Sequence, residues 1–289
     1  MEALDAGVTA AFPALNYRTD AELRNAISEI KSYSKKPFGV NLIVNKSNPS
    51  YKAQLETLME VKVDFIITSL GSPEETIKHC KPLGIKVFCD VVDTTYAQKL
   101  EAMGADALIA VNNQAGGHAG NIAQEALLKS LLDACQLPII SAGGIASGEQ
   151  IQETLTQGAS GVSIGTIFIA SEEAGVSIEY KQALVAYGAN DIVRTDRLSG
   201  SPLTVINTPY VQQIGTKASL LERLLLTNKW LKKYVKMWVA YRGMKQVENA
   251  AFKATYKTVW CAGPSIEQVH AIRPMKEILS ELIQGMKTK

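Results

Sequence analysis

The chain has 289 residues, of which 46% are hydrophobic and 20% charged, with a formal net charge of +2. That composition excludes a disordered or fibrous chain, and so small a charge gives no case for nucleic acid or another acidic partner. The four cysteines, Cys80, Cys89, Cys135 and Cys261, form no C-x-x-C pair, so neither a zinc site nor a disulfide framework is indicated.

From Gly7 to about Ala170 short apolar runs alternate with amphipathic segments, the pattern of repeated βα units. The runs are 8–12, 38–44, 64–68, 85–92, 107–111, 138–141 and 161–165. Capping-box spacings at Thr19-x-x-Glu22 and Ser147-x-x-Gln150 predict helix starts, as does Pro73 before Glu74 and Glu75. Gly84, Gly104 and Gly158 predict helix ends. Apolar strands linked by helices belong in a parallel sheet, either closed as a (β/α)8 barrel or open. The runs number seven, and the opening Glu2 to Gly7 reads as the last turn of a helix with its terminating glycine. The expectation is an α/β chain with a TIM-type (β/α)8 barrel lacking its first βα unit; an open seven-stranded sheet is the alternative.

The run Ala107 to Val111 stops at Asn112-Asn113-Gln114-Ala115-Gly116-Gly117-His118-Ala119-Gly120, which puts His118 on a loop at a strand's C-terminal end. Gly116 and Gly117 allow positive φ or contact with a flat ligand, and a histidine there can exchange protons near neutral pH. An ordinary tight turn would carry the same residues. Of the three histidines, His79 in a helix and His270 in a C-terminal amphipathic segment read as surface or packing residues. Further on, Ser141-Ala142-Gly143-Gly144 and Gly161-Val162-Ser163-Ile164-Gly165-Thr166 end two consecutive strands in exposed backbone N–H groups. In a (β/α)8 barrel the last two such loops bind a phosphate.

After Ala170 the rhythm stops. Residues 171–210 hold turn formers and no clear strand, and an amphipathic pattern from Lys217 to Trp238 predicts a small helical subdomain with a solvated basic face. A last helix is expected from Met275 to Met286, after Gly263-Pro264 and Arg273-Pro274. The expected domains are 1–175, a cofactor-binding barrel; 176–265, a loop and helical subdomain; and 266–289, a returning helix. With no apolar stretch near membrane-span length and no basic leader pattern, a soluble cytoplasmic protein is expected.

Ala115-Gly116-Gly117-His118-Ala119-Gly120, then Ile140 to Ala146, then Gly165-Thr166 with Ala170-Ser171-Glu172-Glu173, resemble the nitronate monooxygenases, formerly called 2-nitropropane dioxygenases. Pro37 to Leu42 is similar to that family's third strand. The resemblance implies a flavin-dependent barrel with FMN across its C-terminal mouth and no metal. It implies His118 as catalytic base, Asn41, Gly116 and Gly117 near the flavin, and Ser141, Gly143, Gly144, Gly165 and Thr166 around its phosphate. Asp90 stands where many members carry a lysine, and Gln114 where glutamate is common. The implied reaction is oxidation of alkyl nitronates with O2 to a carbonyl compound and nitrite. The partners are then a small-molecule nitronate or nitroalkane and O2, without nucleic acid or membrane, with a homodimer left open. A flavin-dependent enoyl-ACP reductase and an inactive flavin-binding barrel are the alternatives.

Overall fold

The computed structural model describes residues 1–45, 48–196, 202–217 and 259–286. Among these, in chain order, come α1 (Glu2–Asp5), β1 (Ala10–Pro13), α2 (Asp20–Tyr33), β2 (Phe38–Ile43), α3 (Tyr51–Glu60), β3 (Phe65–Ser69) and α4 (Glu74–Cys80). Next are β4 (Lys86–Val91), α5 (Thr94–Met103), β5 (Ala107–Val111), β6 (Gly117–His118), α6 (Gln124–Ala134), β7 (Ile139–Ala142), α7 (Gly148–Thr156) and β8 (Gly161–Ser163). Last come α8 (Thr166–Ile169), α9 (Ile178–Ala186), β9 (Ile192–Thr195), β10 (Leu203–Ile206), α10 (Pro209–Ile214) and α11 (Met275–Gly285). The chain divides into two compact units: Met1–Ala110 with Glu125–Ser141 and Thr154–Gly161, and Val111–Gln124 with Ala142–Glu153 and Val162–Lys289.

The first unit is built on a seven-stranded sheet of order β1-β2-β3-β4-β5-β7-β8. Spatial order follows chain order throughout, and β1 to β5 pair in parallel. A doubly wound sheet would reverse its order at a switch point. The fold is therefore of the singly wound barrel type, with helices connecting its strands. Strand β2, Phe-Gly-Val-Asn-Leu-Ile, is buried on alternate and intervening residues alike, as expected of a strand covered on both faces. Its Gly39 is required by packing: a Cβ there would come within 2.1 Å of the Phe65 ring. That ring stacks on Phe88 with centroids 4.7 Å apart.

The local signals act as expected. Thr19 and Glu22 form the reciprocal capping box of α2. Ser147 and Gln150 exchange the same pair of bonds at the start of α7, at 3.1 and 3.3 Å. Gly84, Gly104 and Gly158 take positive φ at helix ends, and Gly7 does so after α1.

The second unit corrects the reading of residues 171–210. They contain α9 and two strands, β9 and β10, which join β6 in an antiparallel sheet of order β6-β10-β9. Leu203, Val205, Val211 and Val259 form the core against that sheet. Tyr180 of α9 stacks on Trp260 at 5.6 Å and donates to the Cys261 carbonyl at 2.5 Å. Helix α11 approaches the start of α7 so closely that a Cβ on Gly148 would lie 2.4 Å from the Leu282 carbonyl oxygen. His270 is exposed in the segment before α11, not in a helix. The amphipathic stretch expected from Lys217 to Trp238 lies, beyond Lys217, outside the described residues.

Candidate functional site

Strand β5 has four buried residues followed by the half-buried Val111, and the polar segment after it is organised by Asn112, which is 1% exposed. Every hydrogen-bonding group of Asn112 is engaged within the second unit. Its N–H donates to the Ala142 carbonyl at 3.1 Å, and its own carbonyl accepts from Gly120 at 3.1 Å and Ala115 at 3.4 Å. Its side chain accepts from the Gln114 N–H at 2.7 Å and donates to the Gly143 carbonyl at 2.9 Å. A buried asparagine so satisfied fixes both loops it touches, because freeing either would strand a polar group away from water.

His118 is held from the other side. As the second residue of β6 it pairs with Leu203, and Gly117 with Thr204. Gly117 takes φ +76°, a conformation L side chains rarely adopt. The imidazole is half-buried, and burial holds it below the ordinary histidine range. A neutral imidazole at neutral pH has a nitrogen lone pair with which to accept a proton.

The glycines divide by purpose. Gly116 gives way to backbone: a Cβ there would lie 2.7 Å from the Gly263 nitrogen. Gly263 in turn donates to the Thr166 Oγ1 at 3.1 Å, so the His118 loop, residue 263 and the start of α8 form one contact series. Gly143, at φ +113°, has Asn112 Oδ1 2.4 Å from its ideal Cβ position, and Gly144, at φ +81°, has Gln114 Oε1 at 2.0 Å. Gly165 differs: it is exposed, and a Cβ there would meet nothing within 4 Å. Among the described residues no protein acceptor stands opposite the N–H of Gly143, Gly144 or Gly165. These donors and the half-buried backbone around them fit an anionic group such as a phosphate.

Within the second unit the structure thus brings together Gly116, Gly117, His118, Gly143, Gly144, Gly165 and Thr166. Asn41 and Ser141 belong to the first unit, Ser141 buried at 1% exposure near the end of β7. There the C-terminal ends of β2, β3 and β4 carry a row of polar side chains. Asn41 Nδ2 donates to Ser69 Oγ at 2.7 Å, and Ser69 Oγ donates to Asp90 Oδ2 at 2.5 Å. Ser69 and Asn112 were not singled out by sequence reading. A serine after an apolar run and an asparagine before a turn are both ordinary there, and only the fold shows their partners.

Burial pushes the Asp90 carboxyl up to about 6, against the opposing effect of the Ser69 hydrogen bond. A folded-state value above the unfolded one means stability is greatest while the group is protonated in both states, below about pH 3.8. It is lost as pH rises towards 6 and beyond. Asp90→Asn, which keeps an acceptor for Ser69, is therefore expected to match wild type near pH 3 and to exceed it by about 3 kcal/mol at pH 7.5. Urea denaturation at the two pH values checks this; an equal difference at both would contradict it.

The chain is 33% identical over 196 residues to the (3aS,4S,5R,7aS)-5-hydroxy-7a-methyl-1-oxo-octahydro-1H-indene-4-carboxyl-CoA dehydrogenase of Rhodococcus jostii, covering 68% of this chain and 55% of that protein. It is 26% identical over 221 residues to a probable nitronate monooxygenase of Staphylococcus aureus, covering 72% of this chain and 62% of that one. The chain thus spans little more than half the length of these curated relatives. Among solved structures it resembles FabK from Thermotoga maritima, with TM-score 0.83 and 27% identity over 99% of this chain and 87% of that one. No helix among the described residues is long and apolar enough to cross a membrane. Residues 46–285 match the family model for nitronate monooxygenase, and the chain belongs to that family.

Proposed function

We propose that the chain is an FMN-dependent oxidoreductase that oxidises alkyl nitronates with O2, giving an aldehyde or ketone and nitrite. The observation that carries this reading is a neutral, half-buried His118 fixed in β6 by pairing with Leu203, in a member of this family. FMN, when bound, supplies the acceptor for the substrate's electron pair. The chain's own residues bind, orient and move a proton. Gly143, Gly144 and Gly165 offer backbone N–H groups, and Thr166 a hydroxyl, to the cofactor's phosphate, and Ser141 is assigned beside them. Asn41, Gly116 and Gly117 are assigned to the flavin ring on the family resemblance. His118 takes the α-proton of a nitroalkane onto an imidazole nitrogen, which burial keeps unprotonated and ready. The substrate is a small molecule, and no nucleic acid or membrane is invoked.

A second reading has its own support. The relative with the higher identity is named as a dehydrogenase of a hydroxylated carboxyl-CoA, not as a nitronate monooxygenase. In that reading His118 would accept the proton of the hydroxyl group being oxidised, and FMN, when bound, would supply the two-electron acceptor.

The absorption spectrum of purified protein separates these readings. Flavin bands that persist under air, with O2 uptake and nitrite release on adding ethyl nitronate, support the first. Bleaching by a hydroxyacyl-CoA thioester without response to nitronate supports the second. Oxidation of NADH or NADPH coupled to an enoyl thioester would point to the reductase alternative, and protein that takes up no flavin from excess FMN would contradict all three.

A further inference from the structure

Arg194 lies on β9, and the strand register sets Gly117, Thr204 and Arg194 in one row across the three-stranded sheet. Its half-buried guanidinium donates through Nη1 to the Gly120 carbonyl at 2.7 Å and through Nη2 to the Ala119 carbonyl at 3.1 Å. It makes no ion pair among the described residues. Among the described residues, its donors are directed at the carbonyls of the two residues that follow His118. Charged donors make hydrogen bonds about twice as strong as neutral ones. The planar fork spans two acceptors at once, which a lysine ammonium on one flexible stem does not reproduce.

We propose that Arg194 is the positioning residue of His118: by clamping the Ala119 and Gly120 carbonyls it sets the direction in which the imidazole points. This rests on the reading of His118 as proton acceptor. Pairing with Leu203 fixes His118 from one side, and the Gly120 N–H to Asn112 bond at 3.1 Å ties the far end of the loop. Between those ties the Ala119 and Gly120 carbonyls are held by Arg194. Burial pushes the Cys261 thiol, whose Cβ lies 4.0 Å from the ideal Cβ position of Gly117, up to about 12, and raises the Tyr180 phenol well above its ordinary range.

The test uses the full chain with Arg194→Met, which keeps an unbranched apolar stem and removes the donors, and Arg194→Lys, which keeps the charge on one ammonium. The sequence contains 3 histidines, so imidazole NMR gives few signals, and the one lost in His118→Asn identifies His118. In Arg194→Met the His118 signal is expected to broaden and its titration midpoint to rise towards the ordinary range, with His79 and His270 unmoved. The kcat should fall about 10- to 100-fold with KM unchanged, and Arg194→Lys should lie between. An unmoved His118 signal and an unmoved kcat in folded Arg194→Met would overturn the proposal, leaving Arg194 as a crosslink of the sheet. If Arg194→Met does not fold, Arg194→Lys decides: a His118 signal identical to wild type overturns it. Should His118→Asn retain full turnover, the base reading falls separately, and the NMR shift still reports whether Arg194 aims the ring.

Discussion

His118→Asn is expected to lower turnover of a neutral nitroalkane by about 10²- to 10⁴-fold, while turnover of the corresponding nitronate anion and the FMN content fall much less. The asymmetry follows from where the proton is. A nitroalkane must lose its α-proton before the flavin can oxidise it, and a nitronate has already lost it. Asparagine keeps the size and hydrogen bonding of the site, and the β6 backbone pairing with Leu203 does not depend on the ring. Steady-state rates on both substrates, with flavin quantified by absorbance, check the difference. Equal losses on both with flavin retained would make His118 a binding residue, and no loss on either would make it a turn residue only.

Gly165→Asp is expected to weaken FMN binding by roughly 10²- to 10³-fold, the repulsion of one carboxylate about 5 Å from a phosphate at an intermediate dielectric. The protein should purify colourless with an unchanged far-UV circular dichroism spectrum. Gly165 suits this test better than its counterpart in the preceding loop. An aspartate at Gly144 would meet Gln114 Oε1 and a positive φ, so its effect would mix phosphate repulsion with backbone strain. At Gly165 φ is −128° and the side chain enters open space. Yellow protein at wild-type stoichiometry would place the phosphate elsewhere.

The parallel sheet was legible because its signals are local. Ala107–Val111 is bounded as expected, and the remaining strands of that sheet shift by two residues or fewer at either end. The caps at Thr19 and Ser147 form as their spacing predicts, since each depends only on residues three positions apart. Strands β9 and β10 were lost among turn formers, although Ile-Val-Arg-Thr and Leu-Thr-Val-Ile are β-branched runs of the right kind. A four-residue strand, β10, pairing with a two-residue strand some 85 to 87 positions earlier leaves no periodicity to detect. The glycines were identified as special, but the reason for two of them was not available. Gly116 and Gly143 are small because Gly263 and Asn112 approach them, and neither neighbour is adjacent in sequence.

The saturated hydrogen bonding of Asn112 bears on how this protein can be altered by selection in the laboratory. Because one side chain ties the 114–120 loop to the loop at Gly143, the two segments behave as a single heritable block. Libraries that randomise residues 113–120 alone will return mostly clones that retain the backbone geometry Asn112 dictates. Clones with a new substrate preference should come from side chains pointing off that frame. Gly143 itself is closed to substitution whatever stands at 112, since its φ is +113° and a Cβ there would meet the Ala115 backbone nitrogen at 2.6 Å as well as Asn112.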